Sequence, residues 1–293
     1  MIGIYYPYLE REGSWEELKY SLRSLERFLD AEYEIWIVGD LPKWIKDVQY
    51  IAHQKIERIV ASSTFDAVTK LQLYLDDSRT PERFIRMYDD IYFIGPRTLN
   101  DLEVTRYLFT YEEICQQEFK SGSTVWRDQV MRTLEAVLRL RSATDDGANG
   151  RKGEGAKGCF DFDQQPNEGI MGEIYMTETH CPEVFEKGKM QNIMDLFDPA
   201  GYRLLTSSLY FNIYPFDRIL KDRKVERALF YGVDNEFSFK TNCTNSLRLR
   251  SGNNEFHELV RGKYFLNHND VGLDNGLKRF IGGMFREKSR WEK

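Results

Sequence analysis

The chain has 293 residues, with 41 lysines and arginines against 47 aspartates and glutamates, and a net charge of −6. This length is enough to bury a sizeable core, and the acidic balance argues against a broad surface for nucleic acid or anionic membranes. Hydrophobic residues at 41% and aromatic residues at 14% exclude a mostly disordered chain.

Three features of the sequence bear on its cellular environment. No apolar run approaches the ~20 residues that span a bilayer, and Met1–Pro7 has neither the basic nor the apolar region of a signal peptide. The cysteines Cys115, Cys159, Cys181 and Cys243 form no CxxC pair. We therefore expect a cytoplasmic protein with reduced cysteines and no integral membrane segment.

The first third of the chain alternates strand and helix patterns. Short apolar runs predict strands at Ile2–Tyr8, Tyr33–Val38, Val48–Ile51, Phe84–Tyr88 and Ile91–Ile94. Leucines at steps of three and four from Leu18 to Leu29 predict a helix capped by Ser14, and the apolar spacing in Ala67–Leu75 predicts a second helix. This order predicts βαβ units and a mainly parallel sheet.

The rest of the chain is richer in helical patterns. They lie at Leu99–Leu108 behind a Thr98 cap, Trp126–Leu138, Met190–Phe197 and Leu273–Met284, with a return to strand at Ile170–Met176. Five glycines without an apolar anchor predict a mobile surface loop over Asp145–Gly158. This stretch is no phosphate cradle, because the chain contains no GxxxxGK[ST] motif.

Adjacent carboxylates interrupt an apolar strand pattern at Tyr88-Asp89-Asp90. Burying these charges is costly unless something compensates them. A divalent metal at the carboxyl edge of a parallel sheet would do so, in a cleft that the strands ending near Tyr5 and Val38 also reach. The alternative is a polar turn that joins two strands of a hairpin.

A histidine lies close before a proline in Glu178-Thr179-His180-Cys181-Pro182. We expect the proline to hold the backbone of His180 extended, so that the imidazole is aimed by the chain. Such an imidazole could complete an Asp/His metal site or act as an acid–base group. The alternative is a histidine that is bonded to a loop carbonyl.

Two basic residues, Lys19 and Arg23, lie one turn apart on the first predicted helix. This spacing suits a phosphate-bearing ligand. The alternative is a solvated face on which they pair with Glu16 and Glu26.

Several segments together resemble the Stealth family of bacterial capsular-polysaccharide sugar-phosphotransferases. Glu17–Glu26 (ELKYSLRSLE) and Ile35–Ile45 (IWIVGDLPKWI) resemble the conserved block of that family, and Arg83–Phe93 (RFIRMYDDIYF) stands at its N-D-D position with Tyr88 in place of asparagine. His180-Cys181-Pro182 is similar to the histidine–proline motif. Phe265–Glu292 resembles the tail of related glycosyltransferase-like proteins. The Tyr-Asp-Asp segment also resembles the DxD motif of GT-A glycosyltransferases.

This resemblance implies an α/β fold of GT-A type, with a mainly parallel sheet flanked by helices and a helical C-terminal decoration. It implies a single domain over residues 1–293, with a nucleotide-binding half at 1–110 and an acceptor-side half at 111–293. The expected activity is transfer from a nucleotide-sugar donor to a saccharide acceptor in surface or capsular polysaccharide synthesis. Sugar-1-phosphate transfer and a non-catalytic binding module are the alternatives, and the oligomeric state stays open.

Roles for individual residues follow from the same resemblance. Asp90, with Asp89 and His180, would hold Mn²⁺ or Mg²⁺ on the donor diphosphate, and Asp89 would position the ribose or a metal-bound water. His180 would be the third ligand or a catalytic group. Tyr5 and Tyr6 could stack on the base, and Arg23 could contact a phosphate.

Overall fold

We describe the fold from a computed structural model of the chain. The structure describes residues 1–10, 15–55, 62–116, 124–147, 173–222, 227–231, 244–245, 257–258, 260–268 and 273–293. Within these ranges, no helix is both long enough and apolar enough to cross a bilayer.

The elements are numbered in chain order. The strands are β1 Ile2–Tyr8, β2 Leu29–Asp30, β3 Tyr33–Gly39, β4 Gln49–Ala52, β5 Arg83–Arg86, β6 Ile91–Phe93, β7 Arg97–Thr98, β8 Thr105–Tyr107, β9 Phe109–Thr110, β10 Tyr175–Met176, β11 Glu183–Glu186, β12 Ile219–Lys221, β13 Arg227–Tyr231, β14 Thr244–Asn245 and β15 Phe265–His268. The helices are α1 Glu17–Phe28, α2 Ser62–Asp76, α3 Leu99–Leu102, α4 Tyr111–Cys115, α5 Thr124–Gly147, α6 Lys187–Phe197, α7 Pro199–Tyr202, α8 Thr206–Ile213 and α9 Asn275–Met284.

The central sheet has five strands in the order β11-β5-β1-β3-β4. Strands β5, β1, β3 and β4 run parallel, and β11 joins the edge antiparallel to β5. This architecture confirms the predicted α/β class with a mainly parallel sheet. It follows from the strand–helix–strand order of the first 90 residues, because parallel neighbours need a crossover connection.

The strand order reverses at β1. The chain leaves β1 through α1 and adds β3 and β4 on one side, then returns through α2 to add β5 on the other side. The carboxyl ends of β1 and β5 therefore flank the crevice at which open α/β sheets usually bind their ligands.

Hydrophobic cores cover both faces of this sheet. Side chains of a strand alternate between faces, so Tyr5 packs with Leu71 and Tyr74 on the face covered by α2. Tyr6 points the other way and packs with Leu22 of α1. This alternation decides which β1 side chains can reach a given cleft.

A second sheet extends the fold beyond β5. Its order is β14-β13-β15-β6, and β15 pairs antiparallel with β6. Tyr92 and Leu266 of this sheet pack against Leu277 and Ile281 of α9. Strand β6 therefore carries the chain away from the central sheet directly after the Asp89–Asp90 pair.

The helix predicted over Leu99–Leu108 is wrong in its second half. Thr98 caps α3 as predicted, in a capping box with Asp101. The helix ends at Leu102 because Thr105–Tyr107 pairs instead with β12. Pairing with a strand more than a hundred residues away is invisible to local periodicity.

Two predictions fall at the borders of the described ranges. Ser14 lies outside them, and the N-cap of α1 is Glu16, whose side chain makes no capping hydrogen bond. Helix α5 continues through Gly147, so the first three residues of the loop predicted over Asp145–Gly158 are helical, and residues 148–158 lie outside the described part.

Candidate functional site

The Asp89–Asp90 pair forms a turn at the carboxyl end of β5. The N–H of Ile91 donates to the carbonyl of Tyr88 at 3.1 Å, which closes the turn before β6 begins. Strands β5 and β6 belong to different sheets, so the hairpin interpretation of this turn is wrong. Both aspartates are half-buried at the edge of the central sheet where the sequence predicted them.

Carboxylates at this turn raise the pKa values of neighbouring tyrosine hydroxyls. Burial raises the pKa of Tyr92 well above its usual value, and the carboxylates of Glu17, Asp90 and Asp89 raise it further. Burial likewise raises the pKa of Tyr8, with Asp89 the largest charge that adds to it. Carboxylates from the turn and from α1 thus act on the same buried hydroxyls.

Strand β15 brings polar side chains to this region that the sequence reasoning missed. His268 is buried, with its Nε2 at 3.0 Å from the Tyr92 hydroxyl. Asn267 lies opposite Ile91 and is fully buried, and neither polar atom of its amide has a hydrogen-bond partner among the described residues. Two polar residues directly after the apolar Tyr264–Leu266 run were the available signal.

The described part of the chain does not supply a full set of metal ligands at this turn. Across the described ranges, no three His, Cys, Asp or Glu side chains are grouped so as to hold a metal ion. The predicted set of Asp89, Asp90 and His180 is therefore not brought together. Two neighbouring carboxylates do fit a hard cation that takes its other ligands from substrate phosphates and water, which is how Mg²⁺ is usually bound.

A cavity of about 300 Å³ opens on the α2 face of the sheet, and Tyr88, the residue before the pair, lines it, whereas neither Asp89 nor Asp90 does. Its polar wall comes from Tyr5, Arg86, Tyr88, Glu178 and His180. The remaining lining is apolar or hydroxyl-bearing and consists of Pro7, Ser63, Thr64, Ala67, Val68, Leu71, Leu204, Leu205 and Thr206. The crevice at the strand-order reversal is thus a formed pocket.

Arg86 anchors the polar wall of this cavity. It is only 6% exposed and donates to Glu183 Oε2 at 2.7 Å, to Thr206 Oγ1 at 2.8 Å and to Ser207. Glu183 lies opposite Arg86 in the β11–β5 register, so the antiparallel edge strand supplies the compensating charge. A second carboxylate oxygen, Oε2 of Glu178, lies 3.7 Å from the same guanidinium.

Glu178 combines a buried carboxyl with access to the cavity. Burial is the main cause that raises its pKa to about 7, while Arg86 opposes the rise and Glu183 adds to it. Its Oε1 accepts from the backbone N–H of Ser208 at 3.3 Å. A carboxyl with this pKa exchanges a proton near neutral pH, a property typical of catalytic acids and bases.

Tyr5 is a core residue that also lines the cavity. Its ring packs in the core against Tyr74 and Phe84, with centroid distances of 4.9 and 6.0 Å. The Tyr5 hydroxyl and Nε of Arg86 are buried, and both lack a hydrogen-bond partner within the described part of the chain. These two polar atoms fit a hydroxyl-rich ligand in the cavity, because a buried polar group costs free energy until it is paired.

Tyr6 does not share this site. Its side chain lies on the opposite face of the sheet, is 1% exposed, and shares a 2.8 Å hydrogen bond with Ser21 Oγ. No face of the ring is open to a base, so the structure separates Tyr6 from Tyr5.

Arg23 is likewise separate from the cleft. It makes two 2.6 Å hydrogen bonds to the carboxylate of Glu292 and one of 2.9 Å to the carbonyl of Phe285. Lys19 pairs with Glu16, as the solvated-face alternative predicted. The guanidinium of Arg23 therefore binds the C-terminal tail.

His180 lies at the cavity with its side chain exposed, and its ring centroid is 6.2 Å from that of Tyr88. Its backbone φ is +50°, so the extended conformation expected from the proline is wrong. The residue directly before Pro182 is Cys181, and the steric restriction acts there. The left-handed backbone at His180 instead marks a sharp bend in the chain just before β11.

Comparisons with known proteins add little to this geometry. No family model and no curated protein matches the chain. Among solved structures, a crystal structure of an active-site mutant of LgtC matches over 99% of this chain and 98% of that chain, with a TM-score of 0.42 and 7% sequence identity. A score this low establishes neither a common fold nor a function, so the function must be inferred from the residues themselves.

Proposed function

We propose that the chain is a metal-dependent glycosyltransferase with a GT-A-like fold, which takes a sugar from a nucleotide-sugar donor and passes it to a saccharide acceptor. The observation that carries the proposal is the Asp89–Asp90 turn, which lies at the strand-order reversal of a mainly parallel sheet and directly follows Tyr88 in the wall of the cavity. The resemblance of Glu17–Glu26 and Ile35–Ile45 to Stealth proteins adds surface or capsular polysaccharide synthesis as the role.

The Asp89–Asp90 turn would bind the donor diphosphate through a cation. Asp90 would hold Mn²⁺ or Mg²⁺, and Asp89 would position the ribose. The ion would neutralise the charge that develops on the diphosphate as it leaves.

The cavity would hold the reacting sugar. Its apolar wall suits the carbon face of a pyranose ring, and the hydroxyl of Tyr5 with Nε of Arg86 would pair with sugar hydroxyls. Glu178 and His180 are the groups placed to accept the proton of an attacking hydroxyl. Arg86 would act through Glu178 by holding its carboxylate in position.

A donor assay tests this proposal. The purified protein is incubated with a panel of nucleotide sugars and Mn²⁺, and the released nucleotide is identified chromatographically. We expect UDP or GDP, since a glycosyltransferase breaks the bond between the sugar and the diphosphate. Release of UMP or CMP from a nucleoside diphosphate sugar would instead support sugar-1-phosphate transfer of Stealth type, because the bond broken is then the one between the two phosphates.

Asp90→Asn is the decisive variant, with Asp30→Asn as its matched control. Asp30 is an exposed aspartate on β2, a strand that pairs with β7 outside the central sheet. We expect Asp90→Asn to abolish Mn²⁺-dependent turnover and Asp30→Asn to leave it unchanged. Turnover by Asp90→Asn in the presence of EDTA would overturn the assignment.

The same assay decides about the non-catalytic module. This alternative is supported by the finding that His180 does not join Asp89 and Asp90 in one metal-binding group. Metal-dependent binding of a donor without release of any nucleotide would favour it over the enzyme.

A further inference from the structure

A groove of about 870 Å³ runs between the end of α1 and the C-terminal tail. Arg23, Glu26 and Arg27 of α1 form one wall, and residues 283–290 form the other. The groove shares no lining residue with the cavity beside Asp89–Asp90. Its volume lies in the range of ligand-binding pockets.

The lining of this groove is basic although the chain is acidic. Five of its residues are basic, namely Arg23, Arg27, Arg286, Lys288 and Arg290, and two are acidic, namely Glu26 and Glu287. The chain as a whole carries a net charge of −6. A concave positive patch on a negative protein concentrates anions locally.

Part of this charge is already used by the fold. Glu292 neutralises Arg23, and Arg27 donates to the carbonyl of Met284 at 2.6 Å. Glu26 accepts from the backbone N–H of Arg290 at 3.0 Å, and one of its oxygens lies 3.9 Å from the Arg290 guanidinium. These contacts hold both walls in place.

Arg286 and Lys288 remain available. Both side chains are exposed, and neither forms an ion pair with a side-chain carboxylate in the described part of the chain. The Lys288 ammonium donates one hydrogen bond, of 3.1 Å, to the main-chain oxygen of Lys293, the last residue of the sequence. A guanidinium and an ammonium two residues apart on one wall, with Arg290 beyond them, match the several oxygens of a phosphate group.

We infer that this groove binds a phosphate-bearing ligand, through Arg286 and Lys288 and apart from the proposed donor site. The ligand is either a soluble phosphate compound or the headgroup of an anionic lipid. The two sources present the same chemistry to the groove and are separated by experiment.

The test uses the whole protein in EDTA, so that metal-dependent binding of a donor does not contribute. Binding is measured to inorganic pyrophosphate by calorimetry. Binding to vesicles of phosphatidylcholine with or without phosphatidylglycerol is measured by co-sedimentation. The variant is Arg286→Gln/Lys288→Gln. The matched control, Lys189→Gln/Arg203→Gln, removes the same charge from α6 and the end of α7.

We expect saturable binding that salt weakens and that Arg286→Gln/Lys288→Gln weakens about tenfold or more. The control pair should bind like the wild type, and Arg286→Gln/Lys288→Gln should melt like the wild type, since both of its residues are exposed. Binding to pyrophosphate identifies a soluble ligand, and binding only to anionic vesicles identifies a lipid headgroup. No binding by the wild type to either probe, or equal losses in variant and control, would overturn the inference.

Discussion

His180 is exposed at the cavity, so its role in turnover can be separated from a role in stability. We expect His180→Ala to lower the rate by about a hundredfold, the usual scale for losing an acid–base group, with little change in melting temperature. His180→Asn should keep part of the activity if the role is only a hydrogen bond. His257→Ala, at another exposed histidine, is the control. A normal rate in folded His180→Ala would remove this residue from the mechanism.

Glu178 predicts an unusual pH dependence of stability. Its pKa of about 7 in the folded protein lies above the ordinary glutamate value of 4.5. The contribution of Glu178 to the free energy of unfolding is therefore fully present below the lower of these two pKa values, and it is lost as the pH rises through about 7. Glu178→Gln should remove this loss, on the order of 1–3 kcal/mol in the free energy of unfolding between pH 5 and 8.

Urea titrations of wild type and Glu178→Gln across this pH range make the measurement, with the exposed Glu173→Gln as control. Parallel pH profiles for wild type and Glu178→Gln would show that the carboxyl titrates normally. The same variant should also lower turnover, because the amide cannot accept the proton of the acceptor hydroxyl.

At this scale the sequence predicts some site residues and not others. Asp89 and Asp90 stand out because two charges interrupt an apolar strand. The contact between Arg86 and Glu183 joins residues that are 97 positions apart, and only the β11–β5 register brings them together. Nothing local marks either residue, since a charged residue at a strand end is ordinarily solvated.

Among the elements, the sequence predicts those with strong local periodicity. Strand β1 has its predicted bounds, and α1 and β3 differ from theirs by a few residues. The predictions fail where a long-range partner decides the structure, as in Thr105–Tyr107, which pairs with Ile219–Lys221. The antiparallel edge strand β11 was missed for the same reason.

At the scale of the elements, an ion pair between Arg23 and Glu292 joins α1 to the C-terminal tail. Glu292 is 7% exposed and holds Arg23 with two hydrogen bonds. Burial raises the pKa of Glu292, but the bonds from Arg23 and Ser289 outweigh it and the net shift is downward. Its stabilisation is therefore present above the usual glutamate pKa and lost as the pH falls below it.

Glu292→Gln should lower the free energy of unfolding by about 1–3 kcal/mol at pH 7, between the values for exposed and fully buried pairs. The difference from wild type should shrink as the pH falls below 4. Glu16→Gln, at the exposed partner of Lys19, should cost less than about 1 kcal/mol. Equal effects of the two variants would show that the pair between Arg23 and Glu292 is solvated.

At the scale of the whole molecule, the two proposed sites lie in different places. The carboxyl ends of β1 and β5 carry the Asp89–Asp90 turn and the cavity, whereas the end of α1 and the tail form the basic groove, and the two pockets share no lining residue. We propose that the donor site binds phosphate through a cation and that the groove binds it directly. Chelation of metal should therefore affect the two regions differently, which separates the two proposals experimentally.

The tail also joins the two ends of the chain into one structure. Trp291 is 4% exposed, its ring lies 5.9 Å from that of Tyr33 at the start of β3, and its carbonyl accepts from the N–H of Lys46 at 2.8 Å. The last residues thus pack onto the segment that connects β3 to β4.

Trp291→Ala should therefore destabilise the whole fold rather than release the tail alone. We expect a loss of about 3–5 kcal/mol in the free energy of unfolding, as for other buried aromatic side chains truncated to alanine. The unfolding transition should stay single and cooperative in urea, followed by both fluorescence and far-UV circular dichroism. Trp15→Ala, at a half-buried tryptophan before α1, should cost clearly less. A loss below about 1 kcal/mol, or a separate early transition for the tail, would show that the tail is peripheral to the stability of the central sheet.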